Sequence, residues 1–225
     1  MSNLLTIEGL YGGYRKESDI LQGIDLSVDE GEAVGILGLN GSGKSTLGKA
    51  IMNLLPFRRG RILFDGKDVT SLPTHRLAES GIALMLQGGT VFPNLTVLQN
   101  LDIAWGRKAR DDYRKQLESI IPLLQNPTDS RLRQTADRLS GGERHELALA
   151  MTLAGKPRLL ILDEPSAGLD PLAVEQAYAL LDLVRRDFGT TILLIEQNVK
   201  RALAFADRCI TLRRGQVAMD DDTNL

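Results

Sequence analysis

The chain has 225 residues, 43% of them hydrophobic and 25% charged, the composition of a globular protein with ample core material. A formal net charge of −2 excludes the overall lysine and arginine surplus with which nucleic-acid binders neutralise phosphates, and the single cysteine excludes an intrachain disulfide framework, which suits the cytosol. No apolar stretch approaches the ~18 residues of a membrane span, and the N-terminus has no basic region before an apolar core, so the chain is expected not to cross a membrane itself.

Leu5, Ile7 and Gly9 alternate with Thr6, Glu8 and Leu10, and residues 24–28 alternate more cleanly, which predicts two strands of a half-exposed antiparallel sheet. The glycine-containing loop between them holds Tyr11 and Tyr14 in a chain with only 4% aromatic residues. A ring placed there can stack on a purine or simply pack half-buried. Next, the apolar run Ala33-Val34-Gly35-Ile36-Leu37 leads into Gly38-Leu39-Asn40-Gly41-Ser42-Gly43-Lys44-Ser45-Thr46 and a helical segment, 47–55. Strand, glycine loop and helix are the context of a phosphate-binding P-loop. Gly38, Gly41 and Gly43 admit backbone conformations closed to residues with a Cβ, so that successive N–H groups converge on phosphate oxygens at a helix N-terminus. Lys44 then suits the β- and γ-phosphates, and the Ser45 hydroxyl suits Mg²⁺.

Beyond a turn at Pro56 and Gly60, a strand begins at Arg61-Ile62-Leu63-Phe64, and a short helix over 71–80 carries His75. With no second histidine or cysteine at ligand spacing, His75 is expected to be solvated. Residues 82–86 form a short apolar strand that ends at Gln87, beyond the strand's carboxyl end, where doubly wound sheets meet their ligands. Helices are predicted over 96–104 and 111–124, the second with Leu117, Ile120, Ile121 and Leu124 on one face, and Asn126-Pro127-Thr128-Asp129 breaks the run. This stretch lacks strand signals and reads as a helical insertion into an α/β domain.

Leu139-Ser140-Gly141-Gly142-Glu143 opens a helix over 144–154. Ser140 and Glu143 have capping-box spacing, and a Ser-Gly-Gly helix start is also a second anion site, able to hold a γ-phosphate. Leu159-Leu160-Ile161-Leu162 is a strand buried on both faces that ends in Asp163 and Glu164. Paired acids there suit Mg²⁺ at Asp163 and activation of the attacking water by Glu164. After the turn Pro165-Ser166-Ala167-Gly168-Leu169-Asp170, Pro171 starts a helix to about residue 187. The last core strand, 190–195, ends at Glu196-Gln197-Asn198; a helix over 199–206 and a strand pair over 207–217 across Arg214-Gly215 follow. Cys209 is expected to be a buried structural thiol, and Asp220-Asp221-Asp222 a solvated acidic end.

These motifs resemble those of ABC transporter nucleotide-binding subunits from end to end: the P-loop 38–46, a Q-loop at Gln87, the signature 139–143, the Walker B strand with Asp163 and Glu164, and a D-loop at 166–170. The resemblance implies an α/β fold, a P-loop NTPase core with a mixed sheet, an N-terminal antiparallel β subdomain and an inserted α-helical subdomain. It implies one ATP-binding domain over 1–225, with the core in 1–86 and 158–225 and the helical part at about 87–157. ATP with Mg²⁺ is the expected ligand. Tyr14, the loop Gly38 to Thr46, Ser140, Gly141, Gly142 and Asp170 would bind nucleotide, Tyr14 fitting adenine better than Tyr11. Ser45, Gln87 and Asp163 would hold the metal, and Glu164, Lys44, Gln87 and Gln197 would serve catalysis.

The same resemblance implies a head-to-tail homo- or heterodimer with a second ABC ATPase subunit, seated peripherally on the cytoplasmic face of the membrane and without nucleic acid. The loop 88–100, with Phe92, Leu95, Val97 and Leu98, is expected to receive the cytoplasmic loops of permease subunits. Val91-Phe92-Pro93-Asn94-Leu95-Thr96-Val97 and Ile195-Glu196-Gln197-Asn198 look like the second ATPase subunit of branched-chain amino acid and urea uptake systems. A soluble ABC ATPase of an assembly scaffold is the alternative. The family's switch histidine falls at Gln197, and Glu143-Arg144-His145 stands where a glutamine pair is commoner, with His145 expected on the helix surface. A C-terminal regulatory domain is expected to be absent.

Overall fold

The computed structural model describes residues 3–105, 112–126 and 128–223. Its elements in chain order are β1 (Asn3–Gly13), β2 (Leu21–Asp29), β3 (Ala33–Leu37), α1 (Lys44–Ile51), β4 (Phe57–Phe64), β5 (Lys67–Asp68), α2 (Thr74–Glu79) and β6 (Ile82–Met85). Then come α3 (Val97–Trp105), α4 (Asp112–Ile120), three short 3₁₀ turns, α5 (Gly141–Leu153), β7 (Leu159–Asp163), α6 (Pro171–Phe188), β8 (Thr191–Ile195), α7 (Val199–Phe205), β9 (Arg208–Arg213) and β10 (Gln216–Asp222). One sheet is antiparallel, with strand order β2-β1-β4-β5. The other has order β10-β9-β3-β8-β7-β6 and is parallel except for β10 at its edge.

Strand periodicity divides the interior in two. In β7 and β8, Leu159, Ile161, Leu193 and Ile195 face a core shared with the antiparallel sheet and α1, whereas Leu160, Leu162, Ile192 and Leu194 face a second core. That second core is closed by α3, α4, α5 and α6. A sheet covered on both faces has no polar side, which is why its strands read as unbroken apolar runs. Among the described residues no helix is long and apolar enough to cross a membrane.

Several local expectations are corrected. In β1 the register slips between Ile7 and Leu10, so Leu10 is buried with Leu5 and Ile7 instead of opposing them. Gly60 lies inside β4, not in a turn: its φ is 112°, and a Cβ there would stand 2.4 Å from the Gly9 carbonyl oxygen. Tyr11 belongs to β1, not to the loop. The helix expected over 111–124 ends at Ile120, because Pro122 holds Ile121 in extended backbone (φ −87°, ψ 111°) and starts a 3₁₀ turn. Ile120 is accordingly only half-buried, while Leu117, Ile121 and Leu124 are buried; Asp111 and Pro127 lie outside the described residues. Asp220 is not merely solvated, since both its oxygens accept from Arg208 Nη1 at 2.6 and 2.7 Å, and Arg208 also bonds Glu32.

Candidate active site

Parallel strands deliver their carboxyl ends to one edge of the sheet. The glycine loop follows β3, Gln87 follows β6, Asp163 ends β7 with Glu164 next, and Gln197 lies just beyond β8. At Gly38 the backbone adopts φ 149°, and a Cβ would meet the Leu212 carbonyl oxygen at 2.4 Å and Ser42 Oγ at 2.6 Å. The loop is thus a cradle that a side chain would fill. Leu39, Asn40 and Gly41 are exposed at its tip, and Ser42, Gly43 and Thr46 are buried. Lys44, the first residue of α1 and also buried, donates from Nζ to the Gly38 and Leu39 carbonyls at 2.8 and 3.2 Å. The first turn of α1 carries no acid, so the positive end of its dipole stays available to an anion.

Ser45 Oγ donates to Asp163 Oδ1 at 2.8 Å. Burial pushes the Asp163 carboxyl above its ordinary value of 3.8; the Ser45 hydrogen bond pulls it down, and the Glu164 charge adds to the rise. A hydroxyl and a carboxylate, both hard oxygen donors placed beside the loop, fit Mg²⁺ that keeps several waters. Glu164 has left-handed backbone, φ 51°, which costs roughly 1–2 kcal/mol for a residue with a Cβ. That turn lets its N–H donate to the Ile195 carbonyl at 2.9 Å. Its carboxylate is gripped from both sides: Oε2 accepts from Gln87 Nε2 at 2.8 Å, and Oε1 accepts from Gln197 Nε2.

Gln197 does not cap α7. Asn198 does, its Oδ1 accepting from the Arg201 N–H at 3.2 Å. At the aromatic positions, Arg59 covers the ring of Tyr11 at 4.1 Å, whereas Tyr14 is 47% exposed and its hydroxyl accepts from Lys49 Nζ at 3.3 Å.

A second group stands apart from this edge. Ser140 caps α5 in a full capping box, accepting from the Glu143 N–H at 3.2 Å while the Glu143 carboxylate accepts from the Ser140 N–H at 3.0 Å. Gly141 and Gly142 lie against Leu169 and Ala173, and Asp170 caps α6 by accepting from the Leu172 and Ala173 N–H groups, each at 3.0 Å. Among the described residues no hydrogen bond joins Ser140, Gly141, Gly142 or Asp170 to the glycine loop.

Sequence reasoning missed Glu196, which is 2% exposed and fully hydrogen-bonded. Its signal was available: an acid directly after an apolar strand, the same placement as Asp163 and Glu164 after theirs. Its neighbour Tyr178 is kept a donor, because burial and then the Glu196 carboxylate push the phenol above its ordinary value. His145 is corrected outright. It is 7% exposed, its Nε2 has no hydrogen-bond partner among the described residues, and burial lowers its pKa to about 4. The cause is that α5 packs broadly against the second core, burying Leu147, Ala148, Leu149, Ala150 and Leu153 as well. Along 88–100, Val97 is buried and Leu95 partly so, while Phe92 and Leu98 are 45% and 41% exposed.

Residues 21–167 match the family model described as ABC transporter. The chain belongs to the ABC transporter family. This ABC protein is 36% identical over 92% of its length to the high-affinity branched-chain amino acid transport ATP-binding protein BraG of Pseudomonas aeruginosa, covering 88% of it. It is 38% identical over 96% of its length to the probable branched-chain amino acid transport ATP-binding protein LivF of Archaeoglobus fulgidus, covering 90% of it. Other relatives carry names for lipopolysaccharide export and iron import. Among solved structures, the dimeric post-hydrolysis state of the ATP-binding cassette MJ0796 bound to ADP and Pi matches with a TM-score of 0.81 and 25% identity, over 98% of this chain and 99% of that one. The cassette is therefore an ATP hydrolase with the ABC ATPase fold, the ATPase subunit of an ABC transporter.

Proposed function

We propose that Glu164 activates the water that attacks the γ-phosphate of ATP, and that Gln87 and Gln197 hold its carboxylate in place from opposite sides. The observation that carries this reading is the double grip on Glu164 beside the glycine loop. The loop amides and Lys44 bind the phosphates, exchanging the Gly38 and Leu39 carbonyls for phosphate oxygens at Nζ. Ser45 and Asp163 would hold Mg²⁺, which when bound neutralises charge developing on the phosphate oxygens. Tyr14, with an exposed ring near Lys49, stacks on adenine.

Among the described residues no hydrogen bond joins Ser140, Gly141 or Gly142 to the glycine loop, and the dimeric neighbour supports a head-to-tail pair in which a second ABC ATPase subunit supplies them. Phe92 and Leu98, with the neighbouring exposed Ile103, offer apolar contact to permease subunits at the cytoplasmic face of a membrane. Uptake of branched-chain or other neutral amino acids or urea is the solute reading, and the two relatives named for branched-chain amino acid transport support its first member. Labelled leucine and urea uptake by cells with and without this subunit tests the solute.

Glu164→Gln tests the chemistry. It keeps shape and hydrogen bonding but removes the base, so steady-state hydrolysis should fall by roughly 10²–10⁴-fold while ATP binding persists and ATP-bound dimers accumulate. Near-normal turnover would refute the assignment.

A further inference from the structure

Strand β8 is followed directly by a carboxylate, Glu196, to which the mechanism above gives no task. Glu196 is almost wholly buried, and a carboxylate left there without partners would strongly oppose folding. It has four. Oε1 accepts from Ser166 Oγ at 2.6 Å and from the Tyr178 hydroxyl at 2.9 Å, and Oε2 accepts from the backbone N–H groups of Gln197 at 3.0 Å and Asn198 at 3.2 Å.

The two oxygens serve different segments. Oε1 holds the turn after β7 and, through Tyr178, the face of α6; Oε2 fixes the backbone step that aims the Gln197 side chain. Gln197 Nε2 in turn donates to Glu164, two residues before Ser166. Ser166, Glu196, Gln197 and Glu164 therefore form a closed circuit, braced by the Glu164 N–H to Ile195 carbonyl bond.

We propose that Glu196 is a positioning residue for hydrolysis: it sets the Gln197 amide against the Glu164 carboxylate and ties that placement to the turn carrying Ser166. The inference rests on the roles proposed above for Glu164 and Gln197. A purely structural role would satisfy the same four bonds, but would not depend on Gln197.

Glu196→Gln keeps the volume, yet an amide nitrogen cannot accept, so one pair of the four bonds is lost. ATP turnover and melting temperature are measured on the full chain for Glu196→Gln, Gln197→Ala and the double variant. The expected result is a kcat on the order of 10-fold lower in Glu196→Gln with KM changed by less than about twofold, and almost no further loss when Gln197 is already alanine. Tyr178→Phe keeps the carboxylate with three donors and serves if Glu196→Gln fails to fold. It should lower kcat about threefold, again only when Gln197 is present. A wild-type kcat in the folded variant, or an equal loss with and without Gln197, overturns the proposal. A Gln197→Ala enzyme at the wild-type rate would instead remove the role of Gln197 and the inference with it.

Discussion

Asp163 and His145 show one physical effect, burial, acting with opposite sign. Asp163 has its pKa raised by burial, so its contribution to stability is full below the unfolded value near 3.8 and is lost as pH rises through the higher folded value. At neutral pH the charged Asp163 therefore opposes folding. Asp163→Asn retains an acceptor for Ser45, and it should melt higher than the parent without nucleotide. It should also lose the thermal shift given by ATP with Mg²⁺ and slow turnover by roughly 10²-fold or more. A lower melting point for the nucleotide-free variant would contradict this account. His145 is pushed down to about 4 from 6.5, so the fold keeps it neutral while the unfolded chain takes up a proton. Stability present above pH 6.5 is then lost as pH falls towards 4, by about 3 kcal/mol in total. Replacing it with leucine, which also removes the unpartnered Nε2, should flatten the fall in melting temperature between pH 7 and 5. Equal slopes in the two proteins would exclude His145 as the source.

Among the elements, α3 uses a buried polar side chain to hold the chain that enters it, beside backbone bonds from that segment to residues 134–137. Asn100 is completely buried; its Oδ1 accepts from the Phe92 N–H at 2.7 Å, and its Nδ2 donates to the carbonyls of Phe92, Leu95 and Thr96. One amide thus shapes the segment that exposes Phe92 and Leu98. Asn100→Ala would take the partner from the Phe92 N–H, while the Phe92, Leu95 and Thr96 carbonyls keep the backbone donors Leu95, Ala136 and Asn100; it should cost about 2 kcal/mol, with faster hydrogen exchange at the Phe92 amide. Unchanged exchange there would show that the segment holds its own shape. The start of α5 differs in kind, because Ser140 and Glu143 are three apart and satisfy each other locally. That cap was legible in the sequence, whereas the Asn100 clamp was not.

At the scale of the molecule, the proposed head-to-tail pair has a second copy bring Ser140 to the glycine loop, to which no hydrogen bond joins it among the described residues. Lys44→Ala should weaken ATP binding by the isolated chain at least about tenfold, because it removes the buried ammonium that the proposed function sets against the phosphates. Ser140→Ala should spare that binding, lose about 1 kcal/mol of helix capping, and block dimer formation driven by ATP. Mixing the two inactive variants should restore one composite site, and with it up to half the activity of the parent dimer. Equal loss of monomer affinity in both variants would contradict the shared site.

The motifs, the doubly covered strand and the acids at the end of β7 were readable because each follows from local rules, whereas the mixed sheet came only from the family resemblance. A glycine loop needs its spacing, a doubly covered strand needs an unbroken apolar run, and a capping box needs residues three apart. Tertiary structure decided which of these residues meet: Ser45 with Asp163 across 118 positions, Gln87 with Glu164 across 77, and Glu196 with Ser166 across 30. It also decided that His145 is buried, since the breadth of the face α5 turns to the core depends on the helices packed around it. Spacing along a chain specifies local backbone geometry, but a hydrogen bond between distant segments exists only once the sheet has set its strand order and brought those carboxyl ends to one edge.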